Sequence, residues 1–125
     1  MIRRPIALLI AVTAVALIAA ANALSAPHAV PTLNGTVGPG YKITLKSNGK
    51  QVTSLKAGSY SFVVADKASI HNFVLEKKKG GTFEKELTTV PFTGTKTVKI
   101  KLTSGQWEFY CRPHESVMQG EFTVK

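Results

Sequence analysis

Within the stretch CRPHESVMQG, Cys111 is followed three positions later by His114 and four further on by Met118. Cys111 is the one cysteine in 125 residues, so no intramolecular disulfide can occupy it. Taken singly, a free cysteine is often just a small apolar core residue, and an interior histidine is usually a hydrogen-bonded one. The set is more informative when His71 is added. A thiolate, two imidazoles and a thioether form the mixed soft and borderline donor set that suits copper, with three strong ligands in a trigonal plane and a weak axial methionine. One short loop would supply Cys111, His114 and Met118, and a second segment would supply His71. A metal ion would also occupy a thiol that is otherwise open to oxidation.

The elements that must position these residues read as strands. From Tyr41 onward, apolar and polar residues alternate: Tyr41, Ile43, Leu45; then Tyr60, Phe62, Val64; His71, Phe73, Leu75; Val98, Ile100, Leu102; Trp107, Phe109, Cys111; and Phe122, Val124. That period of two is the mark of half-buried strands. Turn signals separate the runs at Ser47-Asn48-Gly49, Ala57-Gly58, Gly80-Gly81, Phe92-Thr93-Gly94 and Ser104-Gly105. The run Lys77, Lys78, Lys79 before Gly80 reads as an exposed turn. Six or more short strands in about a hundred residues predict an all-β, antiparallel sandwich or small barrel. Residues two apart share a face, so Cys111 points inward with Trp107 and Phe109, and His71 with Phe73 and Leu75. A faint internal echo aligns SLKAGSYSFVV (residues 54–64) with KLTSGQWEFYC (residues 101–111), matching Gly58 with Gly105 and Tyr60 with Trp107.

The N-terminus has the layout of a signal peptide over residues 1–23: Arg3 and Arg4, an apolar run from Pro5 to Ala21, then Ala21-Asn22-Ala23 as a small-residue cleavage site. Cleavage after Ala26 is a second option. An uncleaved anchor is the alternative, with an apolar run slightly short of a bilayer span. Residues 24–40, rich in Pro, Gly and Ala, read as a flexible lead-in, and residues 41–125 as the single copper-binding domain. The chain has 16 Lys and Arg against 7 Asp and Glu, a formal net charge of +9. Loss of Arg3 and Arg4 with the signal leaves +7, a balance that steers toward anionic partners. Nucleic acid fits poorly, because the basic residues are spread along strands and no binding motif is present. Membrane headgroups in a peripheral contact, or an acidic protein, remain.

The segments LKAGSYSFVVADKASIHNFVL and PFTGTKTVKIKLTSGQWEFYCRPHESVMQGEFTVK carry a more specific pattern: HNF on one strand, then YC-x-PH and Met-x-G some forty residues later. With these motifs the chain resembles the cupredoxins, small blue copper proteins of the plastocyanin and azurin class, over nearly everything from Val52 onward. The resemblance implies a Greek-key β-sandwich and one copper ion cycling between Cu(I) and Cu(II), held by His71, Cys111, His114 and Met118. It implies that Asn72 hydrogen-bonds near the cysteine sulfur and ties the ligand loops together. It further implies that the loop histidine has an exposed edge in an apolar patch, to which Pro113 and Val117 would contribute, with Arg112 and Glu115 as charges at its rim. Pro113 has no N–H to give to the sulfur and is expected to tune the potential. Three residues separate His114 from Met118, against four in plastocyanin-like and two in amicyanin-like loops. The spacing is similar to that of bacterial cupredoxin-like domains, and it bears most on axial coordination by Met118.

The expected function is therefore a type 1 copper protein shuttling single electrons between redox partners, one of them with an acidic surface, in the periplasm or secreted, and monomeric. A periplasmic copper carrier or resistance protein using the same ligands is the alternative, and a metal-free sandwich serving adhesion is a third reading. An enzyme is not expected. Copper oxidases need a second kind of copper site, and only His28, in the lead-in, remains to build one.

Overall fold

The computed structural model describes residues 27–125, so the expected signal segment lies outside the described residues. Ten strands follow in order: β1 (Thr32–Val37), β2 (Ile43–Ser47), β3 (Lys50–Gln51), β4 (Ser54–Leu55), β5 (Gly58–Asp66), β6 (Phe73–Lys79), β7 (Glu84–Thr88), β8 (Gly94–Leu102), β9 (Gly105–Tyr110) and β10 (Gln119–Val124). They form two five-stranded sheets, ordered β3-β2-β1-β5-β8 and β4-β10-β9-β6-β7. Leu33, Leu45, Phe62, Phe73, Leu75, Trp107, Phe109 and Phe122 meet in one core between the sheets. Phe73 and Phe109 stack with ring centroids 5.8 Å apart. Among the described residues, no helix is long and apolar enough to cross a membrane.

The sheets are mixed rather than purely antiparallel. β1 runs parallel to β5, and β4 parallel to β10. Strand pairing is decided by distant contacts, and the local alternation that identified the strands holds no record of it. The lead-in expected over 24–40 is corrected by the structure, since residues 32–37 are the central strand of the first sheet. Leu33, Gly35 and Val37 face the core, while Thr32 and Asn34 are exposed. That alternation is short, contains a glycine, and lies between Pro31 and the Gly38-Pro39-Gly40 turn. Two further expectations are corrected. Tyr41 precedes β2 and is exposed instead of facing the core. Lys77 belongs to β6 and is buried, its ammonium donating to the Thr103 hydroxyl at 2.6 Å and lying over the Trp107 ring.

The internal echo has a structural counterpart. Gly58 and Gly105 open β5 and β9 with φ of 151° and 148°. Two residues on, the Tyr60 hydroxyl and the Trp107 indole N–H each donate to the carbonyl four residues back, Lys56 and Thr103, at 2.7 and 2.9 Å. Each aromatic ring enters the core while its polar tip is satisfied at the start of its own strand.

Candidate metal centre

The C-terminal ends of β1, β5 and β9 and the starts of β2, β6 and β10 lie at one pole of the sandwich, and the donor residues are collected there. Cys111 follows β9 directly and continues its parity, so it is fully buried behind Trp107 and Phe109. His71 stands two residues before β6 on the face of Phe73 and is 0% exposed. His114 closes a 3-10 turn, Arg112–His114, and is half-buried. The Cys111 Sγ is 3.7 Å from His71 Nδ1 and 3.6 Å from His114 Nδ1, and the two Nδ1 atoms are 3.1 Å apart. The centre of a triangle with these sides is about 2 Å from each corner, close to the bond lengths that nitrogen and sulfur donors make to a first-row ion. The donor set and its spacing thus fit a metal ion without rearrangement.

The protonation pattern supports the same fit. His71 Nε2 lies 2.8 Å from the Gly40 carbonyl, which can only accept. The proton of a neutral His71 ring therefore sits on Nε2, and the Nδ1 lone pair faces Cys111 and His114. A backbone acceptor fixing the tautomer of a ligating histidine is a general device of metal sites.

Backbone bonds close the loop that carries the other residues. The His114 N–H donates to the Cys111 carbonyl at 3.0 Å, the Met118 N–H to the His114 carbonyl at 2.9 Å, and the Cys111 N–H to the Met118 carbonyl at 3.0 Å. Met118 is 1% exposed and packs in the core cluster. The three-residue spacer, Glu115 to Val117, lies outside as an exposed turn.

A polar brace joins this loop to β7. The Asn72 carbonyl oxygen accepts from the Arg112 backbone N–H at 2.8 Å, and its amide donates to Glu86 at 2.9 Å. The Arg112 guanidinium donates to Glu86 at 2.9 Å and to Glu84 at 2.7 Å. The Tyr110 hydroxyl also donates to Glu84, at 2.6 Å. That bond, then Arg112, holds the Glu84 carboxyl below its ordinary value. Burial, then the same bond, pushes the Tyr110 phenol up to about 12. Arg112 is thus not a free rim charge: both carboxylates neutralise it. Asn72→Ala is expected to lower unfolding stability by about 1–2 kcal/mol, through two lost hydrogen bonds, and to speed copper loss to a chelator about tenfold or more. Chemical denaturation and chelator-trap kinetics would check both; an unaltered copper off-rate would reduce Asn72 to a fold-only role.

Sequence reasoning missed Gly40, Tyr41, Glu84 and Glu86. The Tyr41 ring packs edge-on against both imidazoles, with centroids 5.5 Å from His71 and 5.0 Å from His114, while remaining 61% exposed. The available signal was the Gly-Pro-Gly punctuation just before it, which marks a tight turn. Tyr41, Ile70, Pro113 and Val117 are all exposed on the turns that carry or flank the two histidines.

Comparison with known proteins agrees with this geometry. The family model of copper binding proteins, plastocyanin/azurin family, matches residues 36–125. Among solved structures, reduced rusticyanin is similar at 19% identity, with 75% of this chain and 78% of that chain covered and a TM-score of 0.54. A second structure of the copper protein rusticyanin is similar at 15% identity, with 75% and 76% covered and the same TM-score of 0.54. A reduced rusticyanin determined by NMR gives 17% identity, 75% and 76% coverage and a TM-score of 0.51. At these identities the likeness is one of fold. No curated protein sequence matches the chain.

Proposed function

Since the chain belongs to the plastocyanin/azurin family of copper-binding proteins, we propose that it works as a type 1 copper protein, carrying single electrons between redox proteins outside the cytoplasm. The observation that carries this reading is the convergence of the His71, Cys111 and His114 donor atoms on one centre, the latter two in a loop whose backbone bonds leave little room to rearrange. In this reading His71, Cys111 and His114 would hold the ion, with the Met118 thioether as a fourth and weaker donor. Bound copper would supply a one-electron couple between Cu(I) and Cu(II).

The rest is done by the chain. Gly40 keeps the His71 Nδ1 free of its proton, and Cys111 enters as a thiolate, since ligands must be deprotonated. Burial of His71, Cys111 and Met118 excludes water and fixes their positions, so that little reorganisation accompanies the change of charge. His114, half-buried, leads from the centre to the surface. Around it Tyr41, Ile70, Pro113 and Val117 offer an apolar contact patch for a transient partner. The net positive charge of the domain supports an acidic redox partner, and the signal-like pattern of residues 1–23 supports a periplasmic or secreted setting. Asn72 and Arg112 keep the ligand loop aligned with β7, and Pro113 is assigned a role in setting the potential.

Protein-film voltammetry with a copper-retention assay tests this. A reversible one-electron wave, from protein that keeps its copper in the presence of a chelator, is the expected result. No reversible wave, together with ready surrender of copper to the chelator, would assign the chain to copper delivery instead.

A further inference from the structure

Charge is divided unevenly between the two sheets. Every glutamate of the chain lies in the sheet β4-β10-β9-β6-β7 or in the ligand loop. The sheet β3-β2-β1-β5-β8 carries exposed Lys46, Lys50, Lys96, Lys99 and Lys101, and its one acid, Asp66, is 2% exposed. The register shows how the face is made. Across its outward side, Lys46 stands opposite Asn34, Asn34 opposite Val63, Lys99 opposite Ser61 and Lys101 opposite Ser59. The result is an outward layer of mostly small residues that carries Lys46, Lys99 and Lys101 and has no exposed carboxylate.

We propose that this sheet face docks the protein on an anionic lipid bilayer. A protein partner is the less suitable occupant, because binding energy between proteins concentrates in aromatic and arginine anchors. These strands expose no aromatic residue, no arginine and no large apolar residue. Lysines spread over a broad face match the diffuse potential of anionic headgroups, where each basic residue near the surface adds independently. Docked face-on, the strands lie parallel to the bilayer. The pole with His71, Cys111 and His114 then points sideways, and the His114 patch stays open to a partner. The inference rests on the charge pattern alone and does not require the electron-transfer reading.

The test uses the chain as recovered from expressing cells, sedimented with phosphatidylcholine vesicles with or without phosphatidylglycerol. Any apolar N-terminal contribution is common to both vesicles, so the readout is the difference between them. The unaltered chain is expected to prefer the anionic vesicles, and the preference should weaken at high salt. The triple variant Lys46→Ser, Lys99→Ser, Lys101→Ser is expected to lose about a hundredfold of that partitioning, at about fivefold per lysine. A charge-matched control, Lys79→Ser, Lys85→Ser, Lys125→Ser, is expected to lose much less. Equal losses in the two triples would show that net charge acts without a specific face, and would overturn the proposal. No preference for anionic vesicles would also overturn it, leaving the face to an acidic protein surface.

Discussion

Cys111→Ser is expected to abolish the intense visible absorption that copper gives the unaltered protein, and to weaken copper binding by more than about a hundredfold. The magnitude follows from comparison: altering the hydrogen-bond partners of a ligand costs about 10–100-fold, and here a ligand itself is removed. A serine hydroxyl is not ionised at neutral pH, so the thiolate-to-copper transition has no donor and the trigonal set loses its soft member. The fold should persist, because the change is close to isosteric and the serine hydroxyl sits beside His71, a hydrogen-bonding neighbour of the present sulfur. A second readout separates site from fold. With free copper at about 100 times the dissociation constant, binding adds about 2.7 kcal/mol to the stability of the unaltered chain, and this increment should vanish in the variant. A blue band surviving in Cys111→Ser would overturn the assignment of the sulfur as the copper ligand.

The legibility of this site in the sequence has a physical basis. Parity along a strand placed Cys111 on the inner face with Trp107 and Phe109, and residue type supplied the donors. Neither argument needs to know how strands are paired. What stayed hidden depends on contacts between distant residues. β1 was hidden because only two apolar side chains, Leu33 and Val37, mark it between prolines and glycines. The Gly40 carbonyl and the Tyr41 ring reach the histidines only because β1, running parallel to β5, ends at the metal pole. Arg112 looked like a surface charge for the same reason: its carboxylate partners are 26 and 28 residues away in sequence.

Gly58 and Gly105 offer a paired experiment on what such distant contacts are worth. Both glycines open a strand at nearly the same positive φ, where an L side chain is strained by about 1–3 kcal/mol. Their surroundings differ. A Cβ on Gly58 would meet nothing within 4 Å, whereas one on Gly105 would collide with the Lys79 carbonyl oxygen and lie 2.7 Å from Lys77 Cε. The Lys79 oxygen is backbone, at the irregular end of the β6 and β9 pairing, and the Lys77 stem is committed to Thr103 and Trp107. Neither can move aside without breaking other contacts, so overpacking adds about 1–3 kcal/mol to the backbone strain. Gly58→Ala should therefore destabilise by about 1–3 kcal/mol, and Gly105→Ala by about 3–5 kcal/mol. The latter is a large fraction of the 5–15 kcal/mol typical of a domain. In thermal unfolding the gap between the two variants should be about 10 °C or more. Gly105 lies at the pole opposite the donors, so whatever fraction of Gly105→Ala folds should show an unaltered copper spectrum. Equal destabilisation of the two variants would mean that backbone conformation alone sets the cost and that the β6 end yields to the new methyl group. A large gap with an intact spectrum would show that the close packing under Lys77 holds the two halves of the β9-β6 pairing in register, independently of the chemistry at the other pole.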